Sequence, residues 1–154
     1  MSHRFVRTMI AAGVTACASL GAAHDARATL GGDVASIASN TQALAATRQV
    51  DKRAVGERHE LVLPSGLVVH EYVSPSGAVY AITWKGPRTP DLRELLGTYF
   101  AQLANRPTTG GHNQLNLTGA DFVIHAKGHA RFVTGRAWVP SLVPAGVTID
   151  ASID

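Results

Sequence analysis

Leu63-Pro64-Ser65-Gly66-Leu67-Val68-Val69-His70-Glu71-Tyr72-Val73-Ser74-Pro75-Ser76-Gly77-Ala78-Val79-Tyr80-Ala81-Ile82-Thr83-Trp84 is the stretch whose reading decides the fold. It carries Pro-Ser-Gly twice, eleven residues apart. Proline presets φ for the first turn position, and glycine accepts the left-handed conformation that closes a short hairpin loop. Each triplet stands between runs rich in Val, Leu, Tyr and Ile. The pattern predicts a three-strand meander over 58–63, 67–73 and 78–84. Two copies at hairpin spacing mark turns and not a solenoid.

Setting Leu63 opposite Leu67 and Ser74 opposite Ala78 fixes a register and two faces. One face then carries His59, Leu61, Leu63, Leu67, Val69, Glu71, Val73, Val79, Ala81 and Thr83. The other carries Glu60, Val62, Val68, His70, Tyr72, Tyr80, Ile82 and Trp84. Neither face is plainly polar, so both are expected to be covered. Tyr72 and Tyr80 become cross-strand neighbours, with His70, Ile82 and Trp84 along the same face.

Outward from the meander, Thr89-Pro90-Asp91 opens the strongest helix of the chain. Thr89 can cap, Pro90 suits the first helical position, and Asp91 favours the positive end of the dipole. Leu92, Leu95, Leu96, Tyr99, Phe100 and Leu103 form one amphipathic stripe, and Arg106-Pro107 marks the stop of a helix over 90–105. Its burial could contribute on the order of 10 kcal/mol before entropy, at roughly 1.5–3 kcal/mol per large apolar side chain. Upstream, residues 33–46 predict a weaker helix capped by Asp33, with 47–57 as a polar connector.

Downstream, 106–120 reads as a loop with a short Leu115–Leu117 run. Phe122, Ile124 and Ala126 alternate before a turn at Lys127-Gly128-His129, and Ala130, Phe132 and Thr134 alternate back. A three-residue loop sets Ile124 against Phe132 in the core and His125 beside Arg131. Pro144-Ala145-Gly146 reads as a turn, and Val147-Thr148-Ile149 as a last short strand. The fold expected is α+β: an antiparallel sheet of five to six strands, an N-terminal meander plus a C-terminal hairpin. One strong amphipathic helix packs it, with a weaker N-terminal helix beside it.

Residues 1–28 have the layout of a secretory signal peptide. Arg4 and Arg7 precede an uncharged stretch from Thr8 to Ala23, and Ala26-Arg27-Ala28 offers a small-x-small cleavage site. About 16 uncharged residues are short of the roughly 20 that span a bilayer. Gly21-Ala22-Ala23 is a second candidate cleavage site. Val14-Thr15-Ala16-Cys17 resembles a lipobox, which would make the protein an outer-membrane lipoprotein through Cys17. Removing the leader takes away Arg4, Arg7, Arg27 and Asp25, lowering the formal charge from +3 to about +1. The single cysteine goes with it. The remainder, 29–154, is expected to be one domain without an internal disulfide or a transmembrane segment, and too nearly neutral for nucleic-acid binding.

Five histidines follow the leader: His59, His70, His112, His125 and His129. His125 and His129 have a spacing that suits a metal only on a helix, and here they straddle a hairpin. His59–Glu71 and Glu60–His70 fall opposite each other in the meander, as ion pairs or as acid–base pairs. There is no Gly-x-Ser-x-Gly elbow, no glycine-rich phosphate loop before a helix and no His-Glu-x-x-His. No cofactor, metal or catalytic residue is assigned. The candidate binding residues are His70, Tyr72, Tyr80 and Trp84, aromatic and polar groups on one face that serve equally in a ligand surface or a core.

The stretch Leu63-Pro64-Ser65-Gly66 through His70-Glu71-Tyr72-Val73-Ser74-Pro75, with Trp84-Lys85-Gly86-Pro87 and Pro90-Asp91-Leu92, resembles a known family. So do Thr29-Leu30-Gly31-Gly32-Asp33 and Gly135-Arg136-Ala137-Trp138-Val139-Pro140. The family is a set of small exported Gram-negative bacterial proteins catalogued as domain of unknown function 2844. The resemblance implies export and a single domain, and it supplies no activity, cofactor or catalytic residue. The expected function is a periplasmic or cell-envelope binding or accessory module. It would meet an envelope protein or small ligand through the aromatic face or the 106–120 loop. The alternative is a small hydrolase-like enzyme using His70 with Glu60 or Glu71.

Overall fold

A computed structural model describes residues 30–105, 111 and 113–153. The expected leader with Cys17, residues 106–110 and His112 lie outside the described residues.

The chain opens with α1 (Val34–Ala43) and continues through β1 (Thr47–Lys52), β2 (Glu57–Val62), β3 (Val68–Val73) and β4 (Val79–Gly86). After α2 (Leu92–Leu96), a 3-10 turn (Gly97–Tyr99) and α3 (Phe100–Asn105) come β5 (Gln114–Thr118), β6 (Val123–His129) and β7 (Phe132–Trp138). A 3-10 turn at Pro140–Leu142 and the single-turn α4 (Ile149–Ser152) follow. The seven strands form one sheet in the order β1-β2-β3-β4-β7-β6-β5, with every pair antiparallel. The α+β class stands as expected, with seven strands in place of five to six.

The two added strands lie in the expected connector and loop. The β1 sequence Thr-Arg-Gln-Val-Asp-Lys belongs to an edge strand largely open to solvent, so no apolar alternation marks it. β5 does alternate, Gln114-Leu115-Asn116-Leu117-Thr118, the signature of a half-buried strand. In the other direction, Val147-Thr148-Ile149 forms no strand; it leads into α4.

Both Pro-Ser-Gly triplets turn the chain as their residues require. The Gly66 N–H donates to the Leu63 carbonyl and the Gly77 N–H to that of Ser74, each at 2.9 Å. Both glycines have positive φ, +81° and +86°. Val73 then pairs with Val79, but Tyr72 pairs with Ala81, so β4 carries a bulge at Tyr80. Every later pairing moves by one residue: His70 meets Thr83 and not Ile82, and Val69 meets Trp84 and not Thr83. The bulge therefore transfers Ile82 and Trp84 to one face and Thr83 to the other.

The helices cover the first of these faces. Ile37 of α1 and Leu95 and Leu96 of α2 join Leu61, Val69, Val73, Val79, Ile82 and Trp84, with Phe122, Ile124 and Ala137 continuing the core across the second half of the sheet. Asp33 caps α1 by accepting from the Ser36 N–H at 2.8 Å. The segment before it is tied down as well: the Gly31 N–H donates to the Val79 carbonyl at 2.8 Å and the Leu30 N–H to that of Leu95 at 3.0 Å. Asp91, and not Thr89, caps α2, accepting from the N–H groups of Arg93 and Glu94. The expected single helix is drawn into a 3-10 turn at Gly97, which takes φ +53°.

The last hairpin closes with a two-residue loop, Ala130-Arg131, between His129 and Phe132. Gly128 is a ladder residue and not a turn residue, its bare Cα leaving room for Val133 opposite. Ile124 accordingly faces Ala137, His125 lies beside Arg136, and Phe132, expected in the core, is 56% exposed.

On the second face a smaller cluster gathers Tyr72, Tyr80, Ala81 and Ile153, with Trp138, Leu142, Val143, Val147 and Ile149 packed against it. The chain after β7 thus returns over one end of this face. No helix among the described residues is long and apolar enough to cross a membrane.

Candidate functional site

One row of side chains crosses the second face from edge to edge. Gln49 of β1 pairs with Glu60 of β2, Glu60 with His70 of β3, and His70 with Thr83 of β4. Thr83 pairs with Arg136 of β7, Arg136 with His125 of β6, and His125 with Asn116 of β5. Directly opposed residues share a face, so each strand contributes one polar group to a single line. The bulge makes this line continuous, because without it His70 would stand opposite Ile82, whose partner on β7 is Ala137.

The row has two halves of different character. In the first, His70 is buried and its Nε2 lies 2.9 Å from Glu60 Oε2, while Thr83 Oγ1 reaches Nδ1 at 3.5 Å, the outer limit of a hydrogen bond. The Glu60 carboxylate and the Thr83 hydroxyl thus hold the two ring nitrogens of His70 from opposite sides. The His70 ring stands edge-on to Tyr72, 6.4 Å between centroids, and Tyr72 is tilted against Tyr80 at 6.2 Å.

In the second half the row lines a cavity of about 430 Å³ over β5–β7, bounded by Ile153. His125, Lys127 and Arg136 are its groups able to carry positive charge, and Gln114, Asn116 and Thr134 add neutral hydrogen-bonding groups. Among the described residues, no aspartate or glutamate lines it. Arg136 is held twice: its guanidinium lies 5.7 Å from the Trp138 ring centre, and Nη2 donates to Asp150 Oδ1 at 2.8 Å. His125 meets the same indole edge-on at 5.3 Å. The volume is in the range that small-molecule sites occupy.

The expected site residues do not form one surface. His70, Tyr72 and Tyr80 share the second face, but Trp84 lies on the helix-covered face, where its indole packs over Gly135. Tyr72 and Tyr80 are buried beneath the C-terminal segment, and burial beside Tyr72 pushes the Tyr80 hydroxyl pKa up. Glu71 is likewise turned away from His70. It faces His59 within the main core, both side chains being almost fully enclosed. Burial raises the Glu71 carboxyl to about 7, opposed by the nearby Arg48 guanidinium, and burial lowers the His59 pKa against the pull of Glu57. Among the described residues, His59 Nδ1 and Glu71 Oε2 have no hydrogen-bond partner.

The half of the row on β5–β7 escaped the sequence reading, since a three-residue loop set His125 against Arg131. The signal for it is the parallel alternation of His125-Ala126-Lys127 and Thr134-Gly135-Arg136. Paired through a two-residue loop, these place all four polar residues on one face.

The architecture defines an α+β protein with a seven-stranded antiparallel sheet, helices on one face and a polar row on the other. A family profile described as "Protein of unknown function (DUF2844)" matches residues 26–152, and the chain belongs to that family. Comparison with curated proteins and with solved structures returns no significant match.

Proposed function

We propose that the protein is an exported periplasmic or cell-envelope binding module that holds a small polar ligand in the cavity over β5–β7. The signal-peptide layout of residues 1–28 supports the address. The convergence of Asn116, His125, Lys127 and Arg136 on one cavity of about 430 Å³ is the observation that carries the binding role. Gln114 and Asn116 lie in the 106–120 stretch expected to take part, whereas the buried Tyr72 and Tyr80 act as packing. Titrating the mature chain, 29–154, with small polar compounds while following backbone amide resonances tests this. Shifts confined to β5–β7 support it, and shifts elsewhere with β5–β7 unmoved reject it.

The second reading is a hydrolase-like enzyme using His70 with Glu60, favoured by their 2.9 Å contact. Against it, His70 is buried and does not line the cavity, and Thr83 stands between. Ester hydrolysis by the mature chain that is lost in His70→Gln, with the fold retained, would establish the enzyme reading over the binding one.

A further inference from the structure

We propose that the cavity takes its ligand by a carboxylate, and that Asp150 occupies the carboxylate's place on Arg136 when the ligand is away. The inference rests on the binding reading and adds the chemical class of the ligand. Among the described residues, the lining brings together His125, Lys127 and Arg136 with no acidic side chain, and Asp150 meets Arg136 from outside it, a balance that draws an anion. The planar guanidinium of Arg136 matches a carboxylate in both charge and shape.

The two partners of the Arg136–Asp150 pair are held very differently. Arg136 sits on β7, between β4 and β6, with its guanidinium against Trp138. Asp150 sits on the one-turn α4 with its side chain 80% exposed. An exposed ion pair of this kind is weak and screened by salt, so an incoming carboxylate with further contacts displaces it. Those contacts are present: Gln114, Asn116 and Thr134 border the same cavity and can bind the rest of the ligand. Ile153, three residues beyond Asp150, both lines the cavity and packs in the tyrosine cluster. Displacing Asp150 therefore acts on the C-terminal segment as well.

The test is a calorimetric and NMR titration of the mature chain with succinate, and with succinamide as its uncharged counterpart. Succinate is expected to shift the amides of Asn116, His125 and Arg136. Removing the internal competitor in Asp150→Asn should tighten its binding about tenfold, and Arg136→Gln should weaken it by at least about tenfold. Asp150 is exposed, so its variant keeps the packing intact and stands as the measurement should Arg136→Gln fail to fold. No succinate binding to either the wild type or Asp150→Asn overturns the proposal, as does equal affinity in those two proteins. Succinamide bound in the cavity as tightly as succinate overturns the carboxylate inference and leaves the binding reading in place. Compounds of neither kind shifting β5–β7 remove both.

Discussion

Trp84 and Gly135 are direct partners across the β4–β7 pairing, and the indole lies where a side chain on residue 135 would project. A Cβ there would fall inside the van der Waals surface of the ring and press on Ala126 as well. The absent side chain at 135 is thus the space that lets Trp84 lie against the sheet. Gly135→Ala should destabilise by about 1–3 kcal/mol through overpacking. Adding Trp84→Leu should recover part of that loss, since the two residues share one volume. Urea unfolding of the two single variants and the double variant measures the coupling, and strict additivity would contradict it.

Glu71 gives a pH dependence of definite sign. Burial pushes its pKa up to about 7 in the folded chain against 4.5 for an ordinary glutamate, so the folded state holds the proton more tightly. Its contribution is fully present below about pH 4.5 and is lost as pH rises through 7, a change on the order of 3 kcal/mol. His59, with its lowered pKa, acts the opposite way: its contribution is present above about 6.5 and lost on acidification. Glu71→Gln should therefore abolish the fall in stability toward neutrality while leaving the His59 trend. Unfolding free energies of the wild type and Glu71→Gln from pH 4 to 8 check this.

Tyr72 is 2% exposed. Tyr72→Ala is expected to cost about 3–5 kcal/mol, as for a large buried aromatic. An unchanged unfolding midpoint would show that Tyr72 contributes nothing to the packing of the smaller cluster.

Ending the chain after Pro144 removes Val147, Ile149 and Ile153 from the smaller cluster. The sheet and its helix-covered core should persist, with a loss of roughly 2–5 kcal/mol and new binding of a hydrophobic dye over Tyr72, Tyr80 and Trp138. Chemical denaturation and dye fluorescence report the two effects. A truncated chain with unaltered dye binding would mean that the segment covers nothing.

Much of the fold was written locally. Pro-Ser-Gly fixes both turns of the meander, and Asp33 caps its helix because the side chain reaches the Ser36 N–H three residues on. The bulge was not legible: nothing local in Val79-Tyr80-Ala81 distinguishes a regular ladder from one with an extra residue. What decides it is tertiary, the fit of Ile82 and Trp84 beneath the helices. The same holds for Gly128, equally at home in a turn or in a ladder opposite Val133. Half of the candidate site depended on that choice, because a shift of pairing there moves His125 away from Arg136. β1 was illegible for another reason: an edge strand open to solvent needs no apolar pattern.

The strand order has a consequence for how the chain reaches this structure. Five of the six pairings join consecutive strands, while the β4–β7 pairing alone joins distant ones, Ala81 meeting Trp138. Two halves, β1–β4 and β5–β7, can each zip up through short loops, and their meeting must enclose the whole of α2 and α3. Closing the long loop makes this the slow, late event. Substitutions at this seam such as Ala137→Gly should then slow folding more than they speed unfolding, as chevron kinetics would register. Thr83 and Arg136 become neighbours only in that final step, so the polar row is completed last.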